Sequence, residues 1–155
     1  MRILIASLLL ISQMTNAQGP KPFRIGVAGL THDHVNGILN RADDGDFTIV
    51  GIAEPNKELA DRLMKKFNLP SSIWYSSLEG MLRKTRPEAV SAFGNTFDHL
   101  AVVEACAPKK IHVMVEKPLA VSVDHARQIK TLAVRHDIHV ITNYETTWYG
   151  SNLKV

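Results

Sequence analysis

The chain has 155 residues, with 18 Lys and Arg against 15 Asp and Glu and a formal net charge of +3. A composition 45% hydrophobic and 21% charged is that of an ordinary globular protein and excludes a disordered tail, a collagen-like repeat and a coiled coil. So small a positive balance lacks the concentrated basic patch of a nucleic-acid binder, and the single cysteine, Cys106, excludes an internal disulfide framework and a cysteine-rich zinc site.

In chain order, Arg2 precedes an apolar run from Ile3 to Ile11 and a polar break ending in Thr15, Asn16 and Ala17. A basic start, a short apolar centre and small residues at a break predict a secretory signal peptide over 1–17, cleaved after Ala17, and hence an exported, periplasmic or secreted protein. The run is far below the roughly 20 residues that span a bilayer, so no membrane anchor is expected after cleavage. Residues 18–149 then read as one domain, with 150–155 the start of a second. Phe23–Ala28 is a short apolar strand ending at Gly29. Val35, Ile38 and Leu39 recur at helical spacing up to Asp43, Asp44 and Gly45. Phe47–Ala53 is a β-branched strand, and Leu59, Leu63, Met64 and Phe67 share one face of a helix over Lys57–Phe67. A weak strand at Ile73–Tyr75 leads to a short helix around Leu78, Met81 and Leu82. Strand Glu88–Phe93, helix Phe97–Ala107, strand Ile111–Val115, helix Ser122–His136 and strand Ile138–Thr142 complete the series. Short strands alternating with helices predict βαβ units and a doubly wound parallel sheet (a Rossmann fold) of order 3-2-1-4-5-6.

Ligands of such sheets bind outside the carboxyl ends of the strands, so the residues after each strand are the candidates. After the first comes Gly29-Leu30-Thr31-His32-Asp33-His34. It keeps only the first glycine of a G-x-G-x-x-G turn. Gly29 makes the tight turn, and Leu30, Thr31 and His32 are expected beside a phosphate, with Thr31 offering an N–H and a hydroxyl. After the second strand comes Glu54, whose carboxylate can accept from both hydroxyls of an adenosine ribose. It would repel a 2′-phosphate, which favours NAD, while Lys57 nearby keeps NADP open. After the fourth comes Gly94-Asn95-Thr96-Phe97-Asp98-His99, where Asn95 and Thr96 offer short polar groups and Thr96 or Asp98 can cap a helix. After the fifth comes Glu116-Lys117-Pro118. A lysine at that edge can hydrogen-bond a substrate hydroxyl or pass its proton, and Pro118 stiffens the turn that aims it.

These segments together resemble the N-terminal domain of the glucose-fructose oxidoreductase, inositol dehydrogenase and rhizopine-catabolism (Gfo/Idh/MocA) family. The matching residues are Arg24–Gly29, Gly51–Pro55, Asn95 with His99, and above all Val115-Glu116-Lys117-Pro118-Leu119-Ala120, over roughly Phe23 to Tyr149. The resemblance implies an NAD(P)-dependent oxidoreductase acting on sugars, cyclitols or similar polyols. By the same resemblance Lys117 lies beside substrate and nicotinamide, Glu54 holds the adenosine ribose, and His99, Glu116 and Pro118 join the cofactor site. It also implies a C-terminal α+β domain. The chain stops near where that domain would begin, so a cofactor domain inactive by itself is the expectation.

Two other readings stay open. His32 and His34 directly after a strand suit a metal-dependent hydrolase that would draw further ligands from Asp98 and His99. A nucleotide-binding remnant without catalysis is the third. His112, His125, His136 and His139 have no motif around them, Cys106 reads as a small buried residue, and the Trp74-Tyr75 and Trp148-Tyr149 pairs read as packing residues.

Overall fold

The computed structural model describes residues 21–42, 45–144, 146, 149 and 150. The expected leader, the aspartate pair 43–44, Trp148 and residues 151–155 lie outside them. The strands are β1 (Phe23–Ala28), β2 (Phe47–Ala53), β3 (Trp74–Tyr75), β4 (Ala89–Ala92), β5 (His112–Glu116) and β6 (Val140–Asn143). They form one six-stranded sheet of order β3-β2-β1-β4-β5-β6, parallel at every pairing, as the alternating pattern predicts. The helices are α1 (Val35–Leu39), α2 (Lys57–Lys66), α3 (Leu78–Thr85), α4 (His99–Cys106) and α5 (Val123–His136). None of the described helices is long and apolar enough to cross a membrane.

Side chains alternate across each strand, so the sheet carries two cores. Ile25 and Val27 of β1 and Ile49 and Ile52 of β2 pack with Val35 and Leu39 of α1 and Ala60 and Met64 of α2. On the opposite face, Val90 and Ala92 of β4 and Val113 and Val115 of β5 pack with Met81, Leu82, Val103, Cys106 and Ile129 from α3, α4 and α5. Gly26 and Gly51 leave the room that Met81 fills: a Cβ at either would stand 2.7 or 2.6 Å from its side chain. Local chemistry starts the helices. Asn56 accepts from Leu59 N–H, Ser77 from Gly80 N–H and Ser122 from His125 N–H, each an N-cap that satisfies an amide the helix cannot.

Several boundaries differ from the sequence expectation by a residue or two, and three of the differences bear on the site. Helix α1 is one short stretch, closing at Asn40 rather than running to the aspartates. The fourth helix is shorter than expected, with a 3₁₀ turn at each end, Thr96–Asp98 and Ala107–Lys109. Neither Thr96 nor Asp98 supplies its cap. Asn95 does the capping of the first turn by accepting from Phe97 N–H at 2.8 Å, the local Asx turn that competes with helix for such residues. Finally, Glu116 belongs to β5, paired with Asn143 of β6, rather than to the turn beyond it.

Cys106 is fully buried, and burial pushes its thiol from 9.0 up to about 12, against a smaller lowering by Lys109. The folded thiol therefore holds its proton more tightly than the unfolded one, so this residue removes stability as pH rises from about 9 toward 12 and has no effect below that window. Thiol labelling at pH 8 should be slow in the native protein and complete on unfolding in denaturant; fast native labelling would place Cys106 at the surface.

Candidate functional site

The order of the sheet puts β1 beside β4, and the chain leaves them toward opposite faces, so their carboxyl ends open a cleft. Gly29 turns the chain there at φ +77°, where a Cβ would lie 2.7 Å from the N and Cα of Gly94. No side chain fits in that space. The cleft, about 170 Å³, is lined by Gly29, Pro55, Gly94, Asn95, Asp98 and His99 among others. A Cβ at Gly94 would meet only Gly29 Cα, at 3.9 Å. Packing requires glycine at 29 and leaves 94 to whatever occupies the cleft.

Glu54 is 3% exposed. Its Oε2 accepts the Leu30 N–H at 2.8 Å and its Oε1 the Asn56 N–H at 2.9 Å, so one carboxylate ties the β1 turn to the start of α2. The Trp74 indole N–H closes on the Glu54 carbonyl at 3.0 Å. On the β4 side, the His32 N–H donates to the Phe93 carbonyl at 2.9 Å and the Thr31 hydroxyl to the same oxygen at 3.4 Å. The amides of Leu30 and His32, two of the residues expected beside a phosphate, are thus engaged with the protein.

His99 is 1% exposed. Its Nδ1 lies 3.2 Å from the Leu119 carbonyl, an acceptor only, which puts the proton of the neutral ring on Nδ1. Nε2 is then a buried acceptor with no partner, at the wall of the cleft. A buried polar atom left without a bond is costly. With the glycine-lined opening, it fits a polar ligand such as a dinucleotide.

At the end of β5, Glu116 is 1% exposed. Both of its oxygens stand 3.1 Å from His34 Nδ1, and Oε2 is 3.9 Å from His32 Nε2. Asn143 Nδ2 donates to Oε1 and the Lys117 N–H to Oε2 at 3.3 Å. The sequence pattern points to Glu116 but not to these partners, and nothing in it singles out Asn143. Only the pairing of β5 with β6 brings Asn143 alongside. Asp98 and His99, offered as further ligands for His32 and His34, do not join them: among the described residues the group that gathers is His32, His34 and Glu116. Lys117 itself is exposed. It shares a cleft of about 370 Å³ with His34, Asn143, Tyr144 and Thr146, and its bond to Pro118 is cis.

The family model described as the oxidoreductase family with an NAD-binding Rossmann fold matches residues 23–144. The chain belongs to this Gfo/Idh/MocA oxidoreductase family. YceM of Salmonella typhimurium, described as an oxidoreductase, is 25% identical over 130 residues, 80% of this chain and 39% of the relative. An oxidoreductase from Agrobacterium radiobacter, solved with NAD+, L-tartaric acid and magnesium, aligns with TM-score 0.73 at 16% identity over 81% of this chain and 36% of that one. The scyllo-inositol dehydrogenase of Lactobacillus casei aligns with TM-score 0.71 at 16% identity, over 84% and 39%. The chain thus spans about two fifths of the length of these proteins. The family's cofactor is NAD, the dinucleotide expected from the strand-end residues.

The two cleft glycines separate packing from binding. Gly29→Ala should cost at least about 2 kcal/mol in denaturant unfolding, from backbone strain and overlap. Gly94→Ala should cost less than about 1 kcal/mol and still weaken NAD binding by calorimetry. Equal stability losses would contradict this division.

Proposed function

We propose that this domain serves a dehydrogenase that oxidises a hydroxyl group of a sugar- or polyol-like substrate, with NAD bound across the β1–β4 opening. The observation that carries the reading is the placement of Lys117 at the carboxyl end of β5, in a polar cleft on the opposite half of the sheet from Glu54. Bound NAD supplies the hydride acceptor. Lys117 hydrogen-bonds the substrate hydroxyl and, as the free amine, takes its proton as the hydride leaves the carbinol carbon, in a turn whose preceding carboxylate is locked by His34 and Asn143. The scyllo-inositol dehydrogenase among the structural neighbours supports a polyol-like substrate.

On the adenosine side the role falls to Glu54. Each of its oxygens accepts one amide and keeps a further lone pair for a ribose hydroxyl. The ammonium of Lys57 stands 2.6 Å from Asp61 in an exposed pair, and this cation beside Glu54 keeps NADP open. Asn95 and Thr96 offer polar groups at the cleft mouth, and the unpartnered Nε2 of His99 accepts from a donor within it. Gly29, Leu30, Thr31 and His32 supply the turn over which the pyrophosphate would lie. Glu116 and Pro118 serve by fixing Lys117.

Calorimetric titration of the 155-residue chain with NAD should show saturable binding. Glu54→Ala should weaken it by about 1–3 kcal/mol, while Lys117→Ala should leave it within about twofold. In an enzyme carrying this domain together with its substrate domain, Lys117→Ala should lower turnover about 10²–10⁴-fold. Unchanged turnover would remove Lys117 from the chemistry, and NAD binding with no turnover on any polyol would favour the non-catalytic remnant.

The leader-like pattern over 1–17 supports export. N-terminal sequencing of the secreted or periplasmic protein should begin at Gln18; a chain confined to the cytosol with Met1 intact would contradict it.

A further inference from the structure

The dinucleotide reading gives His32, His34 and Glu116 only the shaping of their turns. His32 and His34, on the turn after β1, reach across to the buried carboxylate at the end of β5, 82 residues further on in the case of His34. Their nearest ligand-type atoms all lie within 4.8 Å of one another. We propose that His32 Nε2, His34 Nδ1 and a carboxylate oxygen of Glu116 bind one divalent cation of the zinc class.

The distances suit such an ion. Bonds of about 2.0–2.2 Å to nitrogen and oxygen in a tetrahedron put neighbouring ligand atoms about 3.3–3.5 Å apart. The two separations from Glu116, 3.1 Å to His34 and 3.9 Å to His32, bracket that range, and the two histidine nitrogens stand within 4.8 Å of each other, so side-chain shifts of about an ångström close the set. Two imidazoles and one carboxylate are also the donor set that suits zinc while leaving a coordination position open.

The surroundings add three points. Asn143 and the Lys117 N–H hold the Glu116 carboxylate from behind, the kind of support that orients a ligating carboxylate. The Glu116 side chain is 2% exposed while the His32 and His34 side chains are 30% and 25% exposed, so a buried negative charge faces an opening through which an ion can pass. His34 also borders the cleft that holds Lys117, so the open position lies near the place where a substrate oxygen or a water would sit.

Protons must move for the ion to bind. The His34 N–H donates to His32 Nδ1 at 3.3 Å, which puts the proton of neutral His32 on Nε2, facing Glu116. Ligation through Nε2 shifts that proton to Nδ1 and gives up this long, weak bond. His34, ligating through Nδ1, likewise carries its ring proton on Nε2 instead. Only a neutral imidazole can ligate, so protons compete with the ion.

Zinc chloride titrated calorimetrically into the 155-residue chain should bind at one ion per chain. His32→Gln and His34→Gln, checked for native circular dichroism, should each weaken it by about tenfold or more. His112→Gln should leave it unchanged, which separates the cluster from the His112 and His139 rings, 5.1 Å apart where β5 begins. In the wild-type chain, where folding is not in question, zinc should shift the imidazole resonances of His32 and His34 in NMR. Absence of saturable binding at micromolar to millimolar zinc, binding unaffected in His34→Gln, or shifts confined to other histidines would each overturn the proposal.

Discussion

Gly29 lies so close to the backbone of Gly94 that nothing larger than a hydrogen fits between them. That contact fixes how the turns after β1 and β4 sit, and with them the opening at the point where the chain changes faces. The sheet order is the deeper cause: β1 and β4 are neighbours in space though β2 and β3 intervene in sequence. Every candidate group is measured from this place, with Glu54 on one side, His99 in the wall and the β5 turn on the other.

Two buried carboxylates hold the strand ends that flank it. Glu54 follows β2 directly and holds two backbone amides; Glu116 ends β5 and holds an asparagine, an imidazole and one amide. A buried charge is tolerated only when donors satisfy it, so each carboxylate dictates the conformation of the turn that supplies its donors. The same residues thus serve folding and site geometry. Loss of either would disturb loops well beyond its own side chain. The β1 turn is pulled from both directions, by Glu54 at Leu30 and by Glu116 at His34.

The fold was legible because its signals are local. β-branched runs such as Phe47–Ala53, helical spacing such as Leu59, Leu63 and Met64, and caps such as Ser122 lie within one element, and the alternation of elements implies the parallel sheet and its order. Part of the candidate site was legible for the same reason, since Gly29, Glu54, Asn95 and Lys117 each lie within three residues of a strand's end. The rest depends on contacts across the sheet. That Glu116 is the last residue of β5 and meets His34 and Asn143 follows from the register between β5 and β6 and from the path of the β1 turn, and neither is written in a short window. The engagement of Leu30 and His32 amides is equally non-local. The early end of α1 and the capping by Asn95 were missed because turn-forming residues compete with helix there.

We propose that NAD lies along the carboxyl edge, from the Gly29 turn through Gly94 and Asn95 to the Lys117 turn. The most direct measurement is a titration of the ¹⁵N-labelled chain with NAD, followed by amide NMR. Saturable shifts at Gly29, Gly94, Asn95 and Lys117, with Arg86 and Lys110 at the opposite edge unmoved, are the predicted result. Shifts gathered instead around Arg83, Arg86 and Lys109, or none at saturating NAD, would contradict it.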